Sequence, residues 1–214
     1  MEEKTVRVLG LAIVGLSVVA SSAILAPALR GGRSAPPAAS RASTPDERAI
    51  EGRYATTDAG VRVVEFLDFE CPGCQALHTT MEELRRKYPG RFSLSYRHFP
   101  LDIHPHARMA AIAAECASQQ RGFDEFQRLA FQNQDSVRAG AWWWFADRAA
   151  ISDSVAFDRC LHGVAAQAVV TEDVAMARRL RLLGTPVLIV GDSVIMGSRS
   201  LEAMESILGL ASIR

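Results

Sequence analysis

Four residues, Cys71-Pro-Gly-Cys74, stand where a strand-like stretch gives way to a helical one, and little else in the chain narrows the choice of fold so far. Residues 61–68, VRVVEFLD, are dominated by Val, Phe and Leu and predict a largely buried strand. From Cys71 the pattern predicts a helix to about Tyr88, with Pro72 in its first turn, basic residues near its end, and Pro89-Gly90 as the stop. A helix start offers unpaired N–H groups and a positive dipole end, which favour a thiolate at Cys71. Cys74 lies one turn on, near enough to close a disulfide back onto Cys71. The first sulfur can then attack or be attacked, and the second resolves the mixed disulfide. Haem attachment would need His directly after the second cysteine, where Gln75 stands. A zinc site could recruit Cys71, Cys74 and His78, but no second CxxC completes it. An inert structural pair suits an exposed helix start poorly.

The rest of the folded part follows from periodicity. Phe92, Leu94, Tyr96 and His98 alternate with Ser93, Ser95 and Arg97, the period-2 signal of a second strand over 92–99. Residues 104–183 turn helical: 107–120 is Ala-rich, 123–132 has helical spacing, and Val169, Met176, Leu180 and Leu183 mark a later helix face stopped by Gly184. Residues 186–190, a Gly191-Asp192 turn and 193–196 predict a hairpin, and 201–208 a terminal helix. The order is strand, helix, strand, helical block, hairpin, helix, an α/β sheet interrupted by helices. The folded part, 54–214, holds about 160 residues, enough for one core.

The N-terminal region reads differently. Residues 8–29 form a run of 22 without a charge, about 33 Å as a helix and long enough to cross a bilayer core. Two readings of residues 1–29 stand side by side: a retained signal-anchor, or a signal peptide cleaved near Ala26-Pro27-Ala28. A buried core helix fits less well, since the run lacks a polar face. Lys4 and Arg7 before it and Arg30, Arg33 and Arg41 after it do not fix an orientation. Residues 30–53, rich in Gly, Ala, Ser and Pro, predict a flexible linker. With 24 Lys+Arg against 24 Asp+Glu the chain has no overall basic field, which argues against a nucleic-acid partner. Its four cysteines are too few for a disulfide-stapled scaffold.

The stretch Val64-Glu-Phe-Leu-Asp-Phe-Glu-Cys-Pro-Gly-Cys74, with Gly184-Thr185-Pro186 far downstream, resembles the DsbA-like branch of the thioredoxin superfamily. Tyr96-Arg-His-Phe-Pro-Leu101 and Ala113-Ala-Glu-Cys-Ala117 are similar to that branch's run into its inserted helical domain. The resemblance covers roughly residues 60–208 and implies an α/β thioredoxin-like fold with a helical insertion at about 103–183. It implies that Cys71 is the nucleophile, Cys74 the buried resolving cysteine, and Pro186 a cis-proline facing them. Thr185 would offer backbone groups to a substrate chain. Glu65 would be a buried acid able to relay the proton of Cys74. Bland alternatives remain for two of these: a trans Pro186 opening a strand, and a solvated edge-strand Glu65. Strongly oxidising members carry His before the second cysteine, and Gly73 offers neither donor nor charge there.

The implied activity is thiol–disulfide exchange by a membrane-tethered, extracytoplasmic oxidase. Its redox centre is the Cys71–Cys74 disulfide, with no cofactor and no metal; its substrates are exported protein thiols, and a membrane partner reoxidises it. The location implied is the cell membrane, single-pass, or the periplasm or exterior if the signal is cut. A reductase of the same fold acting on apocytochrome or metallochaperone thiols is one rival; a non-catalytic metal-binding module is another. In an oxidising compartment the leftover pair Cys116 and Cys160 predicts a structural disulfide, worth about 4 kcal/mol by loop entropy, against two separate buried thiols. Trp142, Trp143 and Trp144 are about 100° apart on a helix, so they cannot share one face. Interdomain packing with one partly exposed ring is expected, with a partner-facing patch as the alternative. His104 and His106 fit capping and surface roles better than metal ligation.

Overall fold

The computed structural model describes residues 52–56 and 60–210, so the 1–29 segment and the linker up to residue 51 lie outside the described residues. Among the described residues no helix is long and apolar enough to cross a membrane. Strand β1, Val61–Leu67, is buried from Val63 onward, as a run of Val, Phe and Leu requires. Helix α1, Pro72–Lys87, carries the chain across to β2, Phe92–His98, which pairs parallel to β1 with Val61 opposite Phe92. A parallel pair needs such a crossover.

Six helices follow: α2 Ala107–Ser118, α3 Phe123–Gln132, α4 Gln134–Arg138, α5 Trp142–Arg148, α6 Ser154–His162 and α7 Val164–Arg179. The chain then returns through β3, Val187–Val190, and β4, Ser193–Met196, to α8, Leu201–Ile207. The sheet order is β2-β1-β3-β4, with β3 antiparallel to both β1 and β4. Alternation along β1 sorts the core. Val63 and Leu67 join Leu77, Met81 and Leu84 of α1, whereas Val64 and Phe66 join Met176 and Ala177 of α7. Glu65 therefore falls on the α1 face of the sheet.

Three expectations need correction. The period-2 pattern of β2 would leave Ser93, Ser95 and Arg97 to solvent, yet all seven residues of the strand are buried. Arg97 is neutralised at 2.8 Å by Asp173 of α7, and Ser95 Oγ donates to the Val63 carbonyl at 3.1 Å. Helix α7 stops well before Gly184. Arg181 takes φ +55, and the Leu182 N–H returns to the Ala177 carbonyl, a C-terminal cap that leaves Leu183 85% exposed. Residues 52 and 53 are no linker, because Arg53 exchanges backbone hydrogen bonds of 2.9 and 2.8 Å with Tyr96.

The segment at 53–54 also straps the helical insertion to the sheet. Arg53 pairs with the fully buried Asp173, whose other partners are Arg97 and the His98 N–H. Tyr54 stacks on Phe123 at 4.0 Å and donates to Glu115 at 2.5 Å, and Glu115 also meets His98 at 2.9 Å. A carboxylate this deep is tolerable only when paired on several sides.

Cys116 of α2 and Cys160 of α6 form a disulfide, with Cα atoms 5.6 Å apart and a sequence separation of 44. Replacing both with alanine is expected to lower unfolding stability by about 4 kcal/mol in denaturant titration, because the unfolded chain loses a long closed loop. Thiol exchange at Cys71 should persist in that variant.

Candidate active site

Cys71 caps the N-terminus of α1 with extended backbone, φ −74 and ψ 121, and Pro72 follows where its missing N–H costs nothing. Its residue is 7% exposed, and Sγ lies 3.3 Å from the Thr185 carbonyl oxygen, to which the thiol can donate. The Thr185–Pro186 peptide is cis. The Cys74 thiol is the main influence on Cys71: it donates to the sulfur, the Thr185 side chain and then the Cys74 and Gly73 N–H groups act in the same direction, and together they overcome burial and lower the pKa to about 5. At neutral pH nearly every reduced molecule therefore carries a thiolate at Cys71.

Gly73 contributes through its backbone what it lacks in a side chain. Its absent Cβ also matters, since one placed there would lie 3.0 Å from Pro186 Cδ and 3.6 Å from Cys71 Sγ. The Gly73 N–H thus adds to the stabilisation of the Cys71 thiolate, behind the Cys74 thiol as its largest contributor.

Cys74 has the opposite environment. It is fully buried, and burial, the neighbouring Cys71 and Glu65 raise its pKa well above the ordinary thiol value. The Asp68 N–H is its backbone donor at 3.4 Å. Glu65 is 2% exposed and is no solvated edge acid; burial first, then the Cys71 charge, pushes its pKa up to about 8. Its Oε1 has no hydrogen-bond partner. A protonated carboxyl thus lies within electrostatic reach of a reluctant thiol.

The sequence reading passed over two acidic residues beside the cysteines. Asp68 is buried and accepts from the Glu70 N–H at 2.8 Å, the Leu101 N–H at 2.8 Å and His104 Nδ1 at 2.7 Å. Burial raises its pKa against those three donors. Glu70, also buried, accepts the His106 N–H at 2.6 Å. His104 thus ties the β2–α2 connection to the CxxC loop through its ring, whereas His106, the N-cap residue of α2, does so only through its backbone N–H and keeps a side chain that is 43% exposed, the surface role expected of it. The signal was there: two acids inside an apolar run predict partners. His78 is buried against Phe131, ring centroids 5.0 Å apart, and burial lowers its pKa. Among the described residues no three His, Cys, Asp or Glu are grouped as metal ligands. Trp142 and Trp144 pack against the main core, while Trp143 is 48% exposed and meets Phe157 edge-on at 5.5 Å.

A thioredoxin-type sheet, a helical insertion between β2 and β3, and an asymmetric CxxC pair facing a cis-proline define a thioredoxin-like fold with a site suited to thiol–disulfide exchange. Known proteins share that fold. The α-DsbA1 of Wolbachia pipientis superimposes with a TM-score of 0.62 at 20% identity, covering 71% of this chain and 85% of that one. A periplasmic thioredoxin-like protein from Salmonella enterica serovar Typhimurium gives 0.61 at 20% identity, over 76% and 91%. Among curated sequences, a Na(+)/H(+) antiporter NhaA 3 from Salinispora tropica is 33% identical over 163 residues, 76% of this chain and 24% of its own. The chain spans about a quarter of the length of the curated relatives it matches. A family model described as Thioredoxin matches residues 52–209, and the chain belongs to that family.

Proposed function

We propose that the protein is an extracytoplasmic disulfide donor to exported protein thiols, held at the membrane by its N-terminal segment and reoxidised by a membrane partner. The observation that carries this reading is the pKa of Cys71, lowered to about 5 while that of Cys74 is raised. A stabilised thiolate favours the reduced protein, which makes the disulfide a better oxidant. The Cys116–Cys160 disulfide supports an oxidising compartment. The Salmonella neighbour is described as periplasmic, which points the same way.

In the proposed cycle a substrate thiolate attacks Cys71 Sγ of the oxidised pair and the Cys71–Cys74 bond breaks. Cys74 leaves into a buried site and takes the proton of Glu65. A second substrate thiolate attacks the substrate sulfur of the mixed disulfide, and Cys71 departs as a thiolate. Its low pKa makes it a good leaving group. The substrate gains a disulfide and the protein holds the two electrons.

The same fold running as a reductase is favoured by one observation, the Gly73 that stands where strongly oxidising members carry His. Redox titration of Cys71–Cys74 against glutathione, read by alkylation mass shifts, separates the two. A thiolate pKa between those of thioredoxin (about 7) and DsbA (about 3.5) predicts a potential between about −270 and −120 mV, near −200 mV. A value at or below about −270 mV overturns the donor reading in favour of the reductase.

A further inference from the structure

We propose that Gln134, at the start of α4 in the helical insertion, is a positioning residue that sets the ionisation of Cys71. The inference rests on Cys71 being the nucleophile and concerns how a residue 63 positions away controls it. Gln134 is 7% exposed, and its Nε2 lies 3.0 Å from both the Phe69 and the Cys71 carbonyl oxygens. A primary amide nitrogen carries two hydrogens, and both are used. The reverse orientation would set the amide oxygen against two carbonyl oxygens, so the chemistry admits one orientation. With so little solvent access, water cannot stand in for the lost donors.

These bonds span the loop Phe69-Glu70-Cys71 and fix the Phe69–Glu70 and Cys71–Pro72 peptides. The Cys71 carbonyl already accepts the Cys74 and Gln75 N–H groups at 3.1 and 3.2 Å, the first turn of α1. Gln134 adds a third donor to that oxygen. A carbonyl so engaged cannot swing toward its own sulfur, where its partial negative charge would oppose a thiolate. Its register in turn keeps the Gly73 and Cys74 N–H groups aimed at Sγ. Gln75 answers from the other side: its Nε2 donates to the Phe131 carbonyl at 2.5 Å, three residues before Gln134. The insertion therefore grips the first turn of the active-site helix by both ends. Glutamate at 134 could donate neither bond, and leucine fills the space without donors.

The test is the pH dependence of Cys71 alkylation by iodoacetamide in the full chain, beside a thermal melt. Gln134→Leu is expected to raise the midpoint from about 5 by about one unit, so that alkylation at pH 4 slows about tenfold. A folded variant with an unmoved midpoint overturns the proposal and leaves Gln134 a structural residue. A second measurement needs no variant. The side-chain amide resonances of Gln134 in the native reduced protein should titrate with the Cys71 midpoint, and flat resonances overturn the proposal. A native midpoint near 9 overturns both the thiolate reading and this one, whereas a low native midpoint indifferent to Gln134 sinks this one alone.

Discussion

Cys74→Ala is expected to abolish oxidation of dithiol substrates, with catalysis falling to the uncatalysed background, because Cys71 alone has no disulfide to donate. Cys71 keeps the N–H groups of Gly73 and position 74 in this variant, so it remains a competent nucleophile toward a disulfide such as oxidised glutathione. With no thiol one turn behind it, the adduct has no internal route to resolution. The variant separates two contributions to the Cys71 pKa as well. The Cys74 thiol is the largest cause of its depression, so the alkylation midpoint should rise above about 5 but stay short of the ordinary thiol value, because the backbone donors remain. Cys71→Ala should form no adduct at all. Non-reducing electrophoresis and intact mass after incubation with oxidised glutathione check both variants. An adduct carried by Cys74 in Cys71→Ala would reverse the assigned roles, although the full burial of Cys74 argues against it.

What the sequence could disclose here was local, and what it hid was tertiary. The β1–α1 junction was readable because its signals are adjacent: an apolar run, Cys-Pro at a helix start, basic residues at the helix end and Pro89-Gly90 after it. The hairpin at 187–196 was readable from its Gly191-Asp192 turn. The burial of Ser93, Ser95 and Arg97 was not, because it depends on α7 and on residues 53–54 folding over β2. Asp173 did leave a trace. It occupies a buried position between Val170 and Met176 on the inner face of α7, and an acid in such a place predicts a buried cation. Gly184 drew attention from the actual stop, since Arg181 adopts a left-handed conformation that residue type does not announce. Around the site, Cys71, Cys74 and Glu65 could be named from their spacing and from family resemblance. Gln134 could not, because a lone glutamine in a helical block carries no pattern, and its role exists only where two carbonyls converge on it.

Glu65→Gln should remove most of the pH dependence of stability in the oxidised protein. The folded pKa of Glu65 is about 8, against 4.5 for an exposed carboxyl. Between those values the folded state holds a proton that the unfolded state has released, so stability is full below about pH 4.5 and falls as pH rises toward 8. Burial is the larger cause and the Cys71 charge the smaller. Oxidation abolishes that charge, so the loss expected across the window is about 4 kcal/mol. The reduced protein should hide it. Cys71 has its pKa lowered to about 5 from 9.0 and adds stability that is complete above pH 9 and lost as pH falls through 5, a slope of opposite sign over nearly the same interval. Urea titrations from pH 4 to 9 on both redox forms should therefore show a falling curve for the oxidised protein, a flatter one for the reduced protein, and no fall for oxidised Glu65→Gln. The same variant should slow exchange, since the departing Cys74 sulfur loses its nearby proton donor. An oxidised native protein whose stability is level across this range would mean that Glu65 is ionised and solvated, and could not serve as that donor.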